Sequence, residues 1–194
     1  MLKKIELRLP KMRGKQLISY MLIFVIIPVA NYLIGKHLDK WLSLQIYPPF
    51  PFNLVLGFGV FFFGLMVGIR ATQLIYKKGG GLPWGEAKKE VQTERLVTEG
   101  LYAYTRNPMV LGYSLLPFGM GLMFQSLGMT LSMSPIVLFV NVAIIKLWEE
   151  PNLKIRFGKK YEEYRERTPF LIPRDLKFIE SLVDPENKRF GLGP

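Results

Sequence analysis

Apolar and polar positions along this chain separate into long blocks instead of alternating within short ones. Residues 16–35 and residues 48–69 carry no charged side chain, and each run is about the 20 residues that a helix needs to cross roughly 30 Å of hydrocarbon. A third uncharged run, 108–145, is nearly twice as long, with Ser126, Gly128, Ser132 and Pro135 near its middle. Two passes joined by a tight turn fit it best. The pattern therefore predicts an all-α integral membrane protein with about four transmembrane helices, or five segments if one is broken, and a helical tail after the last. The first run lacks a small-residue cleavage site and further spans follow it, so it is read as a retained span, not a leader.

The polar blocks divide the 194 residues of what reads as a single domain. Residues 1–15 form a basic arm suited to an interface, 16–76 hold two spans, 77–107 a loop, 108–148 the helical hairpin and 149–194 the tail. Helical character in 146–167 is expected to break at Pro151 and Gly158, and residues 168–174, which include Pro169 and Pro173, to run as an extended strap back over any site. Gly64 and Gly68 have the spacing that lets a second helix approach closely. Arg70 sits at the end of the second span, where it can snorkel to the interface.

Charge adds orientation. The net charge is +11, from 26 Lys and Arg against 15 Asp and Glu, and it follows the blocks: Lys3, Lys4, Arg8, Lys11, Arg13 and Lys15 precede the first span, and a second basic group occupies 77–106. The stretch 36–47, read as an outer loop, has only Lys36 and Lys40 against Asp39. The positive-inside tendency places both termini and the 77–106 loop in the cytoplasm, and makes anionic lipid, not nucleic acid, the partner of the basic excess.

Composition then removes chemistries. There is no cysteine and a single histidine, His37, in the outer stretch. Thiolate metal sites, cysteine nucleophiles and a Ser-His-Asp triad are thereby excluded near the polar blocks. Chemistry must run on Arg, Glu, Tyr, Asn, backbone groups or a bound cofactor.

Two clusters supply those groups. The first comprises Leu96, Val97, Thr98, Gly100, Leu101, Tyr102, Tyr104, Arg106, Asn107 and Pro108, where the chain enters the third run. The second begins at Glu149 and Glu150, where the fourth pass ends, and continues through Phe157, Gly158, Tyr161 and Tyr164. Arg106 is suited to a carboxylate or phosphate, which its guanidinium can grip bidentately, and equally to structural pairing with a glutamate. One of Glu149 and Glu150 can accept bonds from a diol or offset a cation while the other pairs with Arg106 or Arg156. Tyr102 and Tyr104 are either aromatic walls or members of an interfacial belt.

As an ordered set, Leu96-Val97-Thr98, Gly100, Tyr102, Tyr104, Arg106, Pro108 and Gly112, then Glu149-Glu150, Phe157-Gly158, Tyr161, Tyr164 and 170–173, resembles the integral-membrane isoprenylcysteine carboxyl methyltransferases over about residues 55–175. Membrane phospholipid N-methyltransferases and sterol reductases are similar at greater distance. The resemblance implies S-adenosylmethionine as methyl donor, bound by Val97, Thr98, Gly100, Leu101, Tyr102, Asn107, Pro108, Glu149 and Glu150. It also implies a prenylated or lipid acceptor entering from the bilayer, with Arg106 and Glu150 in catalytic roles. One departure stands out: the family usually has Arg-His-Pro, and here the middle residue is Asn107, which cannot titrate near neutrality. An amine acceptor would require a base, for which Glu150 or Tyr104 would have to serve. A reductase-like enzyme using a nicotinamide cofactor and a non-catalytic lipid-binding protein are the other readings that the residues allow.

Overall fold

The structure, a computed structural model, describes residues 25–44, 48–81 and 92–183. The basic arm at 1–15, the first half of the first span and Trp84 lie outside these. Every regular element among the described residues is helical: α1 (Ile27–Trp41), α2 (Phe52–Leu74), α3 (Pro108–Met123), α4 (Leu127–Ile144), α5 (Glu150–Phe157), α6 (Lys159–Arg167) and α7 (Lys177–Val183). A π-helical turn, Ile75–Gly79, prolongs α2; a second, Ile145–Glu149, joins α4 to α5; and a 3-10 turn, Gly100–Ala103, precedes α3.

Two helical rods are long and apolar enough to span a membrane, Phe52–Gly79 and Leu127–Phe157. Pro108–Met123, with 16 residues, is a shorter apolar helix between them. Pro108 opens α3 where a missing N–H costs nothing, because that donor has no partner within the helix. Ser126 opens α4, its hydroxyl accepting from Met129 N at 3.0 Å, a cap worth about 1 kcal/mol. The expected hairpin is thus α3 and α4, turning at Phe124–Ser126 with Gln125 in the left-handed region.

α2 and α3 run antiparallel along a seam of glycines. A Cβ on Gly64 would lie 2.7 Å from Gly112 O, one on Gly112 would lie 2.6 Å from Gly64 O, and one on Gly119 would lie 2.8 Å from Gly57 O. No side chain fits there, which is the packing role expected of Gly64 and Gly68. α1 meets α4 in the same way, where a Cβ on Gly128 would lie 2.3 Å from Gly35 O.

Two expectations are corrected. Residues 36–41 belong to α1, not to a loop. Their polar side chains serve the tip of the hairpin: Lys36 Nζ donates to Phe124 O at 2.9 Å, and Asp39 accepts from Gly128 N at 2.6 Å. Asn53 adds a bond from Nδ2 to Met123 O at 2.9 Å. Helix ends leave such carbonyls and amides orphaned, and these side chains complete them. The second correction is Pro151, which does not break the rod. It falls in the first turn of α5, directly after the wider turn Ile145–Glu149, whose register accommodates a residue with no N–H to give. The break comes at Gly158, with φ of 53°.

Candidate active site

The end of α2, the start of α3 and the end of α4 lie at one end of the bundle, opposite the hairpin tip. A buried cluster of Val67, Ala71, Leu74, Val97, Leu101, Tyr102, Phe178 and Leu182 joins α2, the 3-10 turn and α7 there. Gly100, with φ of 60°, turns the chain into the 3-10 segment in a conformation that glycine adopts without strain. Beside this cluster is an open cavity of about 850 Å³, a volume that includes the solvent in its mouth.

Its walls come from five segments. Ile75 closes one side; Thr93, Arg95, Leu96 and Val97 form a second; Tyr102 with Arg106, Asn107, Met109 and Val110 a third; Ile145, Glu149, Glu150 and Leu153 a fourth; Tyr161 and Tyr164 of α6 the last. Val97, Tyr102, Arg106, Asn107, Glu149 and Glu150, six of the residues singled out in the sequence, therefore converge on one space. Thr98, Gly100, Leu101 and Pro108 are not on its walls. Leu101 is fully buried in the neighbouring core and Pro108 is buried at the start of α3, so their side chains support the site from behind.

Arg106 forms a salt bridge with Glu150, and their side chains are only 10% and 11% exposed. Tyr161 joins them, with Arg106 Nη1 3.4 Å from its hydroxyl. Burial, then the Glu150 charge, pushes the Tyr161 phenol up to about 12, with Arg106 opposing. It is a neutral donor at any ordinary pH. Burial likewise holds the phenols of Tyr102 and Tyr164 above their usual range, and Tyr164 donates to Tyr102 O at 2.7 Å, fastening α6 to the 3-10 turn. Lys146 lies 3.7 Å from the second Glu150 oxygen. The guanidinium of Arg156 donates to Thr93 O, fixing the second wall against α5.

The strap is where the prolines suggested. Pro169 O accepts from Arg106 N at 2.9 Å, Phe170 O from Asn107 Nδ2 at 2.8 Å and Leu171 O from Thr105 Oγ1 at 2.8 Å. Phe170 packs against two cations, 5.4 Å from Arg106 and 4.4 Å from Lys146 by ring centroid. Asn107 thus has a definite task, donation of a hydrogen bond to the strap, that needs no ionisable side chain.

The sequence puts Tyr161 and Tyr164 in the second cluster without giving them a place in the site, and it singles out neither Thr93 nor Arg95 for one. The tyrosines carried a signal, since they stand three apart on an otherwise charged helix and so share a face. Thr93 and Arg95 carried none. They reach the cavity because Glu94 N and Arg95 N both bond to Gly79 O, at 2.7 and 3.2 Å, folding the loop onto the end of α2.

The wall fits a ligand that is at once cationic and rich in hydroxyls, as S-adenosylmethionine is: Glu149 and Glu150 bring carboxylate acceptors, and Tyr102, Tyr161 and Tyr164 bring aromatic rings. Arg106 Nε is buried without a hydrogen-bond partner, a donor not yet used.

The profile of the phospholipid methyltransferase family matches residues 52–160, more than half of the chain and all of the cavity wall from Ile75 to Leu153. A protein-S-isoprenylcysteine O-methyltransferase of Schizosaccharomyces pombe is 29% identical over 145 residues, covering 72% of this chain and 60% of that protein. The chain thus spans about 60% of the length of the curated relative that it matches. No solved structure matches. The chain belongs to the phospholipid methyltransferase family.

Proposed function

We propose that this protein is a membrane methyltransferase that uses S-adenosylmethionine and methylates the carboxylate of a lipid-borne, prenylcysteine-like acceptor. The observation that carries the reading is the buried Arg106–Glu150 pair on the wall of a cavity at the polar end of two membrane-length rods. Four passes with both termini and the site in the cytoplasm complete it, on the distribution of cations.

Bound in the cavity, S-adenosylmethionine supplies an electrophilic methyl group. Val97, Tyr102, Asn107 and Glu149 would hold it. Glu150 acts as a positioning residue: it holds the guanidinium of Arg106 in one orientation, and Arg106 in turn orients the acceptor carboxylate. Orientation is the larger contribution, because a carboxylate fully neutralised by arginine is a poorer nucleophile. With a reference pKa of about 3.5 for an α-carboxyl group, the acceptor is already ionised at pH 7. No residue has to take a proton.

That point favours a carboxylate over a phospholipid amine, which must be deprotonated before it attacks. Neither base considered for that reaction is suited to it. Glu150 is committed to Arg106, and Tyr104 is absent from the cavity wall, packed edge-on against Phe178 at 6.4 Å with its phenol raised by burial.

The test is calorimetric titration of S-adenosylhomocysteine into the purified protein in lipid, followed by transfer assays with a prenylcysteine and with a phospholipid amine. Micromolar or tighter binding and methylation of the prenylcysteine are expected. A folded sample that binds no S-adenosylhomocysteine sinks the reading, and methylation of the amine alone overturns the acceptor.

A further inference from the structure

We propose that α7 and the residue before it form a membrane-surface contact, lying along the boundary between headgroups and acyl chains with the apolar stripe Leu176, Ile179 and Val183 against lipid. A helix as short as Lys177–Val183 needs one apolar face to dock, and this one has two. Phe178 and Leu182 are buried against Val67, Ala71 and Leu74 of α2 and against the 3-10 turn. On the other side Leu176 is 82%, Ile179 50% and Val183 77% exposed. Spacings of three and four place Leu176, Ile179 and Val183 in one line along the helix.

Two observations identify what covers that line. The first is continuity: α7 is seated directly on α2, one of the two rods long enough to span, and Met66 and Ile69 of that rod are exposed as well. The second is depth. Arg70 lies between Val67 and Ala71, the residues on which α7 rests, and it has no ion-pair or hydrogen-bond partner among the described residues. A guanidinium on a spanning helix finds its partners at the phosphate level, so Arg70 marks the plane of the interface, and α7 lies within a turn of it. Arg174 and Lys177 are exposed beside Asp175 and Glu180. With charges so balanced, burial of the apolar stripe and not attraction to anionic lipid holds the helix down.

The chain contains no cysteine, so nitroxide labels can be placed one at a time in the full-length protein. Leu176→Cys, Ile179→Cys and Val183→Cys report on the stripe; Ile69→Cys and Phe62→Cys calibrate depth on α2, and Glu163→Cys on α6 gives the aqueous reference. In phosphatidylcholine nanodiscs, collision with oxygen should exceed collision with a water-soluble nickel chelate at the three stripe positions. Their depth should match Ile69 and be shallower than Phe62, while Glu163 shows the reverse ratio. Nickel access at the stripe equal to that at Glu163 overturns the proposal. So does low access to both reagents, which would mean that another part of the chain covers the stripe. Three independent labels keep the reading decidable if one variant fails to fold.

Discussion

The two ends of the helix bundle are both polar, and they use polarity differently. At the hairpin tip, Lys36, Asp39, Asn53 and Ser126 all bond to backbone groups left over where α3 ends and α4 begins. At the opposite end Arg106, Glu150 and Tyr161 bond to one another and face a cavity. The first arrangement completes secondary structure, with only Asp39 Oδ2 and Asn53 Oδ1 among these side-chain atoms left buried without a partner. The second keeps charged groups together at a cost in desolvation that the fold alone does not require. Polar residues beside a membrane span are therefore informative only once their partners are known.

The comparison is broken most severely by Arg106→Ala. Transfer should fall at least about 100-fold through loss of acceptor orientation. The buried Glu150 carboxylate left behind should destabilise the protein by about 3–5 kcal/mol. Thermal unfolding in lipid should then show Arg106→Ala/Glu150→Ala regaining part of that stability while transfer stays lost. A double variant that recovers transfer would remove Arg106 from the acceptor site.

At the other end, Asp39→Ala strips the partner from Gly128 N, an expected loss of about 1–3 kcal/mol. Affinity for S-adenosylhomocysteine, measured on the same sample, should be unchanged. A fall in that affinity would mean that the two ends are coupled through α4.

A finer probe is alkaline pH. The Tyr161 phenol is raised to about 12 in the folded protein, against about 10 in the unfolded chain. Unfolded tyrosine therefore loses its proton first, so the contribution is intact below pH 10 and is lost as pH rises towards 12. Tyr102 and Tyr164 act in the same direction. Tyr161→Phe should soften the decline in unfolding temperature across that window without abolishing it. An unaltered slope would place Tyr161 in contact with water.

The smallest effect belongs to Lys154 and Glu162, an exposed pair at 2.8 Å in which the lysine holds the carboxyl below its usual range. Lys154→Ala should change neither unfolding temperature nor transfer, because water screens such pairs. A measurable loss of transfer would extend the site to the outer face of α5.

Much of this was legible in the residues. Uncharged runs of membrane length marked α2 and the hairpin, since a helix that crosses hydrocarbon needs about 20 apolar positions in a row. Pro169 and Pro173 forced the strap out of helical geometry, and Arg106 needed a carboxylate wherever it was buried. What escaped the sequence depended on partners distant along the chain. Lys36 and Asp39 look like loop residues until the hairpin tip that they complete is placed beside them. Pro151 looks like a break until the turn before it widens. Thr93 and Arg95 become cavity wall through Gly79 O and the Arg156 guanidinium, contacts that no pattern along the sequence encodes.

The glycine seam between α2 and α3 has a further meaning for traffic. Two backbones this close are welded: there is no slot between them for a hydrocarbon chain and no slack for them to part without breaking the fit at Gly57, Gly64, Gly112 and Gly119 together. On the proposed function, a lipid tail bound for the cavity therefore passes one of the other walls, the 93–97 segment, the α4–α5 rod or α6.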